Sequence, residues 1–148
     1  MFYGEFHHTI DEKGRLIMPA KYREQLGASF FITKYLMNKE EERCLFVYPQ
    51  SEFNELSQKL HKLSNSSKEA RFLNRYFFSS VQDTAVDKQG RVLLTTELRE
   101  HACINREVVL VGVDTHIEIW DLDKWEAYNA SDTLEMDKLA ESLGELGI

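Results

Sequence analysis

The sequence predicts an α+β chain, mainly β, made of two copies of one small β-rich repeat with helices between and after them. Three observations predict it. One charged phrase occurs twice at a constant offset, apolar runs of strand length flank both copies, and two other stretches place apolar residues at helical spacing.

The phrase is the anchor. Asp11-Glu12-Lys13-Gly14-Arg15 leads into Leu16-Ile17-Met18-Pro19 and Lys21-Tyr22-Arg23-Glu24, and Asp87-Lys88-Gln89-Gly90-Arg91 leads into Val92-Leu93-Leu94-Thr95 and Glu97-Leu98-Arg99-Glu100. At the offset of 76 that carries 11 to 87, five of the fourteen positions from 11 to 24 are identical, namely Asp, Gly, Arg, Arg and Glu. Ile10/Val86, Leu16/Val92, Ile17/Leu93, Met18/Leu94 and Tyr22/Leu98 exchange one apolar residue for another. Charged and apolar positions repeating together mark duplicated structure.

Each phrase reads as a hairpin. An apolar strand ends at Asp11 or Asp87, and Gly14 or Gly90 supplies the positive φ of a tight reversal before a second apolar run leaves. The tips hold an Asp and an Arg, with Lys13 on one and Lys88 on the other. Two readings stand at this point. A stiffly presented arginine fork suits a phosphate or a guanine edge; equally, Asp11 and Arg15 can pair simply to hold the turn.

The first strand covers Phe2 to Ile10, and its adjacent His7 and His8 point to opposite faces, which is a poor arrangement for sharing a metal. Pro19 opens a short helix, Ala20 to Leu26, that Gly27 stops. Phe30 to Thr33 and Cys44 to Tyr48 read as strands joined by the solvated loop Asn38-Lys39-Glu40-Glu41-Glu42. Their counterparts are Val108 to Val113 and Ile117 to Trp120, joined at Asp114-Thr115. Beyond that turn the offset becomes 72, pairing Tyr48 with Trp120 and Phe53 with Trp125, so the first copy holds four extra residues, placed most simply in the acidic loop.

Between the copies, Ser51 is the expected cap of a helix carrying Phe53, Leu56, Leu60 and Leu63 on one face. Ser64-Asn65-Ser66-Ser67 breaks it, and Ser66 with Glu69 has capping-box spacing for a second helix reaching about Phe78, with Leu73 and Phe77 on one face. Arg71 and Arg75 are neighbours on that helix. They are open to phosphate or to acidic residues of a neighbouring molecule, and the latter is the favoured reading. The second copy begins with Val81 to Val86; Thr95 or Thr96 starts its short helix and Asp121 starts the helix of Trp125. Met136, Leu139 and Leu143 form an amphipathic stripe in the tail, of a kind that more often packs on its own protein.

Composition bounds the function. The 148 residues suffice for one ordinary domain or two small ones, and 43% hydrophobic with 29% charged content places the chain among soluble globular proteins. No apolar run approaches about 18 residues and no basic-then-apolar leader opens the chain, so a cytoplasmic location is expected. Cys44 and Cys103 are isolated, suggesting neither a disulfide framework nor a zinc site. The formal net charge is −7, unlike a simple basic nucleic-acid binder. Its distribution is uneven: Lys59 to Tyr76 holds five basic residues against one acidic, and Asp132 to Ile148 holds five acidic against one basic.

Catalytic arrangements are missing from the sequence. It has no Gly-x-Ser-x-Gly, no phosphate-cradling glycine loop and no metal-spaced histidines, and the aspartates of the tips sit in wet turns. A binding module is expected, with no enzyme activity, no metal and no cofactor.

The Met-Phe-Tyr-Gly-Glu start, the paired Asp-x-x-x-Arg signatures DEKGR and DKQGR, CLFVYP and VVLVGVDTHIEIWD together resemble the MraZ family of bacterial transcriptional regulators over essentially the whole length. The resemblance implies two AbrB-like swapped-hairpin repeats, of the double-split β-barrel kind, in which one chain mimics a dimer. It divides the chain into a first repeat over 1–50, connecting helices over 51–79, a second repeat over 80–125 and an acidic helical tail over 126–148. It further implies a ring of several chains on the nucleoid. Such a ring binds tandem G-rich boxes in double-stranded promoter DNA and represses the division and cell-wall gene cluster that includes its own gene. Carried over by position, Arg15 and Arg91 with Lys13 are the implied DNA contacts, Arg23 and Arg99 touch phosphate or brace the tips, and Asp11 and Asp87 orient the arginines. Gln89 is neutral where Lys13 is charged, and Thr95 replaces Pro19. The alternative is an antitoxin-like protein-binding module that grips a basic partner through its acidic tail.

Overall fold

A computed structural model of the chain describes residues 1–37, 39–63, 65–130 and 135–148. Asn38 of the acidic loop, Ser64 of the predicted helix break and Asp132 at the start of the predicted acidic tail lie outside the described residues. The first half runs β1 (Glu5–Thr9), β2 (Arg15–Ile17), α1 (Ala20–Leu26), β3 (Phe30–Lys34) and β4 (Leu45–Pro49). Helices α2 (Gln50–His61) and α3 (Lys68–Ser79) lead to the second half. It runs β5 (Gln82–Thr84), β6 (Arg91–Leu93), α4 (Thr96–His101), β7 (Glu107–Val113), β8 (His116–Asp121) and α5 (Leu122–Asn129), followed by α6 (Met136–Glu145).

Among the described residues the strands form two antiparallel sheets, one in the order β1-β7-β8-β4-β3-β5 and one that pairs β2 with β6. Exchanging each strand for its counterpart in the other half reproduces both orders, so a pseudo-two-fold axis passes between β4 and β8 and through the β2/β6 ribbon. The structure departs from the predicted hairpin. The tip closes as a turn, with Asp11 N donating to Arg15 O at 2.9 Å and Asp87 N to Arg91 O at 2.8 Å, but the flanking strands do not pair with each other. β1 joins β7, and β2 joins β6, so each half hydrogen-bonds to the other. Tertiary pairing wins because Leu16 and Val92 sit opposite each other in the β2/β6 ladder and are both fully buried.

The interlock has a core to match. Ile10, Leu16, Met18, Tyr22, Leu26, Phe30, Val92, Leu94, Leu98, Leu110 and Ile119 form one buried cluster drawn from both halves. Period-two alternation explains which residues enter it: Leu16 and Val92 face in, while Ile17 and Leu93 face out. A second cluster, Tyr48, Phe53, Leu60 and Phe77, lies where α2 and α3 cover the first half of the large sheet.

The helices begin with small shifts from expectation. α2 starts directly from the end of β4, with Pro49 as its first boundary residue, so Ser51 lies inside the first turn and makes no cap; Leu63 falls beyond the helix and is exposed. Ser67, not Ser66, caps α3 by accepting from Ala70 N at 3.0 Å, because the helix begins at Lys68 and Glu69 is one position short of a capping box. Thr95 caps α4 and Asp121 caps α5 as predicted. The Met136, Leu139 and Leu143 stripe of α6 is exposed, so it does not pack on its own protein. The strand predicted over Val81 to Val86 is only Gln82–Thr84. The described part of the β3–β4 connection holds a short 3-10 turn, Glu40–Glu42, absent from the tight β7–β8 turn at Asp114.

Candidate functional site

The two signature turns are built alike. In the first, Asp11 Oδ1 accepts from Lys13 N at 3.0 Å and from Arg15 N at 2.8 Å, while Oδ2 accepts from Arg15 Nε at 2.7 Å. In the second, Asp87 Oδ1 accepts from Gln89 N and Arg91 N, both at 2.9 Å, and Oδ2 accepts from Arg91 Nε at 2.8 Å. One carboxylate therefore both folds the turn and aims the guanidinium. Asp11 and Asp87 are held below the ordinary aspartate range, first by the Arg15 and Arg91 backbone N–H groups and then by the guanidinium bonds. The pairing that holds the turn is thus present in both copies.

Of each guanidinium, Nε is the nitrogen with a partner among the described residues. Among the described residues the terminal Nη groups of Arg15 and Arg91 donate to nothing in the chain, and the two side chains are 32% and 28% exposed. In the β2/β6 ladder Arg15 lies opposite Leu93, and Arg91 opposite Ile17. The two arginines are thus diagonal neighbours on one ribbon face, with Cα atoms about 7–8 Å apart. Lys13 is exposed in its turn, as are Lys88 and the neutral Gln89 in the other.

The tips are stiffened from across the axis. Met18 N donates to Gly90 O at 2.9 Å, and Leu94 N donates to Gly14 O at 2.8 Å. Gly14 (φ 86°) and Gly90 (φ 78°) have the left-handed backbone that favours glycine. Each also gives room to an arginine of the opposite half. Arg23 from α1 lies against Gly90, and Arg99 from α4 lies against Gly14, where an added Cβ would sit 2.9 Å from its Nε and Cζ. Arg99 is further fixed by donating from Nε to Leu94 O at 3.2 Å and from Nη2 to Thr96 Oγ1 at 3.1 Å. Arg23 and Arg99 thus each lie against the tip of the copy they do not belong to.

Sequence reasoning did not single out Ile17, Leu93 or Gln82. Ile17 and Leu93, 47% and 52% exposed, share the ribbon face with the arginines; alternation counted from buried Leu16 and Val92 was the signal for them. Gln82 bridges the second copy, donating to Leu93 O at 2.5 Å and accepting from Thr95 N at 3.2 Å. No sequence pattern announces it. Arg71 is committed elsewhere, donating from Nη1 to Asn65 O and Ser66 O at 2.9 Å, whereas Arg75 is exposed. Among the described residues no group of three or more His, Cys, Asp or Glu side chains could hold a metal, and no helix is long and apolar enough to cross a membrane.

Fold and site together define a tandem-repeat binding protein whose halves interlock to display a paired-arginine ribbon. Comparison with known proteins places it more closely. The family model described as "MraZ protein, putative antitoxin-like" matches twice, over residues 1–76 and 77–144. A protein of Desulforamulus reducens named "Transcriptional regulator MraZ" is 49% identical over 146 residues, covering 99% of each chain. Proteins of the same name from Finegoldia magna and Clostridium tetani are each 45% identical over 148 residues, covering all of both chains. The chain belongs to the MraZ family of transcriptional regulators.

Proposed function

We propose that this chain regulates transcription by seating the outer face of its β2/β6 ribbon in the major groove of promoter DNA. The observation that carries the reading is the pair of arginines on one outward face, each held at Nε by its own aspartate with its Nη edge unused. A two-stranded ribbon fits the major groove, and a guanidinium donating two parallel bonds matches the O6 and N7 acceptors of guanine. Arg15, Lys13 and Arg91 make the DNA contacts, Asp11 and Asp87 hold the arginines in register, and Arg23 and Arg99 keep the tips rigid. Position 13 is a lysine and the corresponding position 89 a neutral glutamine, which favours the first copy as the stronger contact at that position even though Lys88 leaves a cation on the second tip.

With a net charge of −7, one chain with so few cations binds DNA weakly. We further propose that several chains assemble into a ring that meets tandem G-rich boxes, gaining avidity from repeated contacts of one type. Residues 1–50 and 80–125 act as the two DNA-presenting repeats, and repression of the division and cell-wall gene cluster, its own gene included, on the nucleoid is the biological role that fits. The test is a gel shift with promoter DNA carrying repeated or scrambled boxes across a salt series. Box-dependent, salt-weakened binding that Arg15→Ala removes, with assembly intact, is the expected result. Unchanged binding by Arg15→Ala refutes the ribbon as the reader. Loss of the main interaction on deleting residues 132–148 favours the antitoxin-like alternative.

A further inference from the structure

The internal duplication makes one half of this chain a comparison for the other. In the first half α3 covers the angle between α2 and the sheet, where Phe53 stacks on Phe31 at 4.0 Å and on Phe77 at 6.1 Å, and Phe77 is fully buried. The equivalent angle in the second half lies beside α5, with Trp125 in place of Phe53 and Tyr128 in place of Leu56. On that side of the molecule, among the described residues, no third helix lies over α5, and between α5 and the β3–β4 connection a groove of about 230 Å³ is open, lined by Tyr35, Glu42, Glu118, Trp120, Trp125 and Tyr128, among others. Trp120 is in ring contact with Trp125 at 5.3 Å and with Tyr128 at 5.2 Å.

The groove is aromatic and negative. Glu118 accepts from Trp120 Nε1 at 2.9 Å and pairs through its other oxygen with His116 Nε2 at 3.0 Å, and Tyr128 donates to Glu42 at 3.1 Å, so among the described residues Glu42 is the carboxylate with an oxygen to spare. Among the described residues no Lys or Arg lines it. Burial raises the Tyr35 and Tyr128 hydroxyls, and the two carboxylates raise them further. A cavity this small is below the size that usually holds a free organic ligand, and suits one or two side chains delivered by a partner.

We propose that this groove receives the outer face of α3 from a second copy of the chain, with Phe72 against the aromatic walls and Arg75 toward Glu42 and Glu118. Phe72 and Arg75 are one turn apart, Phe72 is 66% exposed, and Lys68 extends the same cationic stripe. The tail helix of the same chain is the wrong occupant on charge, because Asp137, Glu141 and Glu145 would approach Glu42 and Glu118. The contact joins the covered end of one copy to the open end of the next. Such a head-to-tail contact generates a ring where the rotation closes. It rests on the assembly part of the proposed function and gives that assembly its surfaces.

The experiment uses paired charge reversals read by sedimentation velocity. Arg75→Glu alone sets Glu against Glu42, and Glu42→Arg alone sets Arg against Arg75, so each variant is expected to fall to smaller species. Mixing the two restores assembly, since every contact in an alternating ring again joins opposite charges, and only even-numbered rings form. Phe72→Ser, a change at an exposed side chain that among the described residues stacks only on Tyr76 of its own helix, dissociates the parent assembly while the circular dichroism spectrum stays that of the folded chain. Assembly of either single variant as in the parent overturns the proposal. So does a mixture that stays dissociated while both chains are folded. Dissociation by deletion of residues 135–148 alone would assign the groove to α6 instead. A parent chain that is monomeric yet binds its boxes sinks this contact and leaves the DNA ribbon standing; an assembled chain that ignores DNA does the reverse.

Discussion

Gly14 and Gly90 hold the same place in two copies of one phrase, yet replacing them with alanine should cost different amounts. Both sit at positive φ, 86° and 78°, where an L side chain costs about 1–2 kcal/mol. At Gly90 the new methyl meets the guanidinium of Arg23, the free end of a flexible side chain that can swing away. At Gly14 it meets the backbone oxygen of Leu94 at 2.9 Å as well as Arg99. Leu94 cannot retreat cheaply, because its N–H donates to Gly14 O and its oxygen accepts from Arg99 Nε. Overpacking of that kind adds about 1–3 kcal/mol. Gly90→Ala should therefore lower the melting temperature by about 3–8 °C and Gly14→Ala by about 6–20 °C, at about 3–4 °C per kcal/mol. Calorimetry on both variants, with Arg23→Ala and Arg99→Ala added to each background, checks the cause. Arg23→Ala should recover any loss in Gly90→Ala beyond the backbone cost, whereas Arg99→Ala should recover little in Gly14→Ala. Equal losses, or a larger loss at Gly90, would refute the reasoning.

Arg15→Ala should weaken binding to boxed DNA by about 1–3 kcal/mol per occupied contact, and Arg15→Lys should not restore it because an ammonium lacks the planar fork; titration by fluorescence anisotropy measures both. The depressed Asp11 and Asp87 contribute stability that is present above the ordinary aspartate range and lost as pH falls through their lower folded values. Urea midpoints should therefore drop less between pH 5 and pH 3 in the Asp11→Asn/Asp87→Asn double variant than in the parent. His101 is pushed down to about 4, first by burial and then by Lys34 and Arg43, so protonation favours the unfolded chain and stability falls as pH moves from 6.5 toward 4. Its imidazole NMR signal should hold the neutral position at pH 5.5, and a midpoint near 6.5 would contradict this. Leu16→Ala should cost about 2–5 kcal/mol by denaturant unfolding, while Ile17→Ala next to it should cost about 0.5 kcal/mol or less, since only Leu16 is buried.

Local chemistry carries a long way in this chain. The repeated Asp-x-x-Gly-Arg phrase determined both turns and both arginines, and Thr95 and Asp121 named their own helices, because a turn or a cap is decided within four residues. Alternation of apolar residues placed the strands for the same reason. The partner of each strand is not local information. That β2 pairs with β6 across the chain and not with β1 beside it depends on which pairing buries Leu16 and Val92 together, and only the assembled core decides that. The crossing of Arg23 to Gly90 and Arg99 to Gly14, the shared outward face of Arg15 and Arg91, and the groove left open beside Trp125 follow from that choice. None could be read from spacing, since each joins residues of opposite halves through a close contact that exists only once the chain has interlocked.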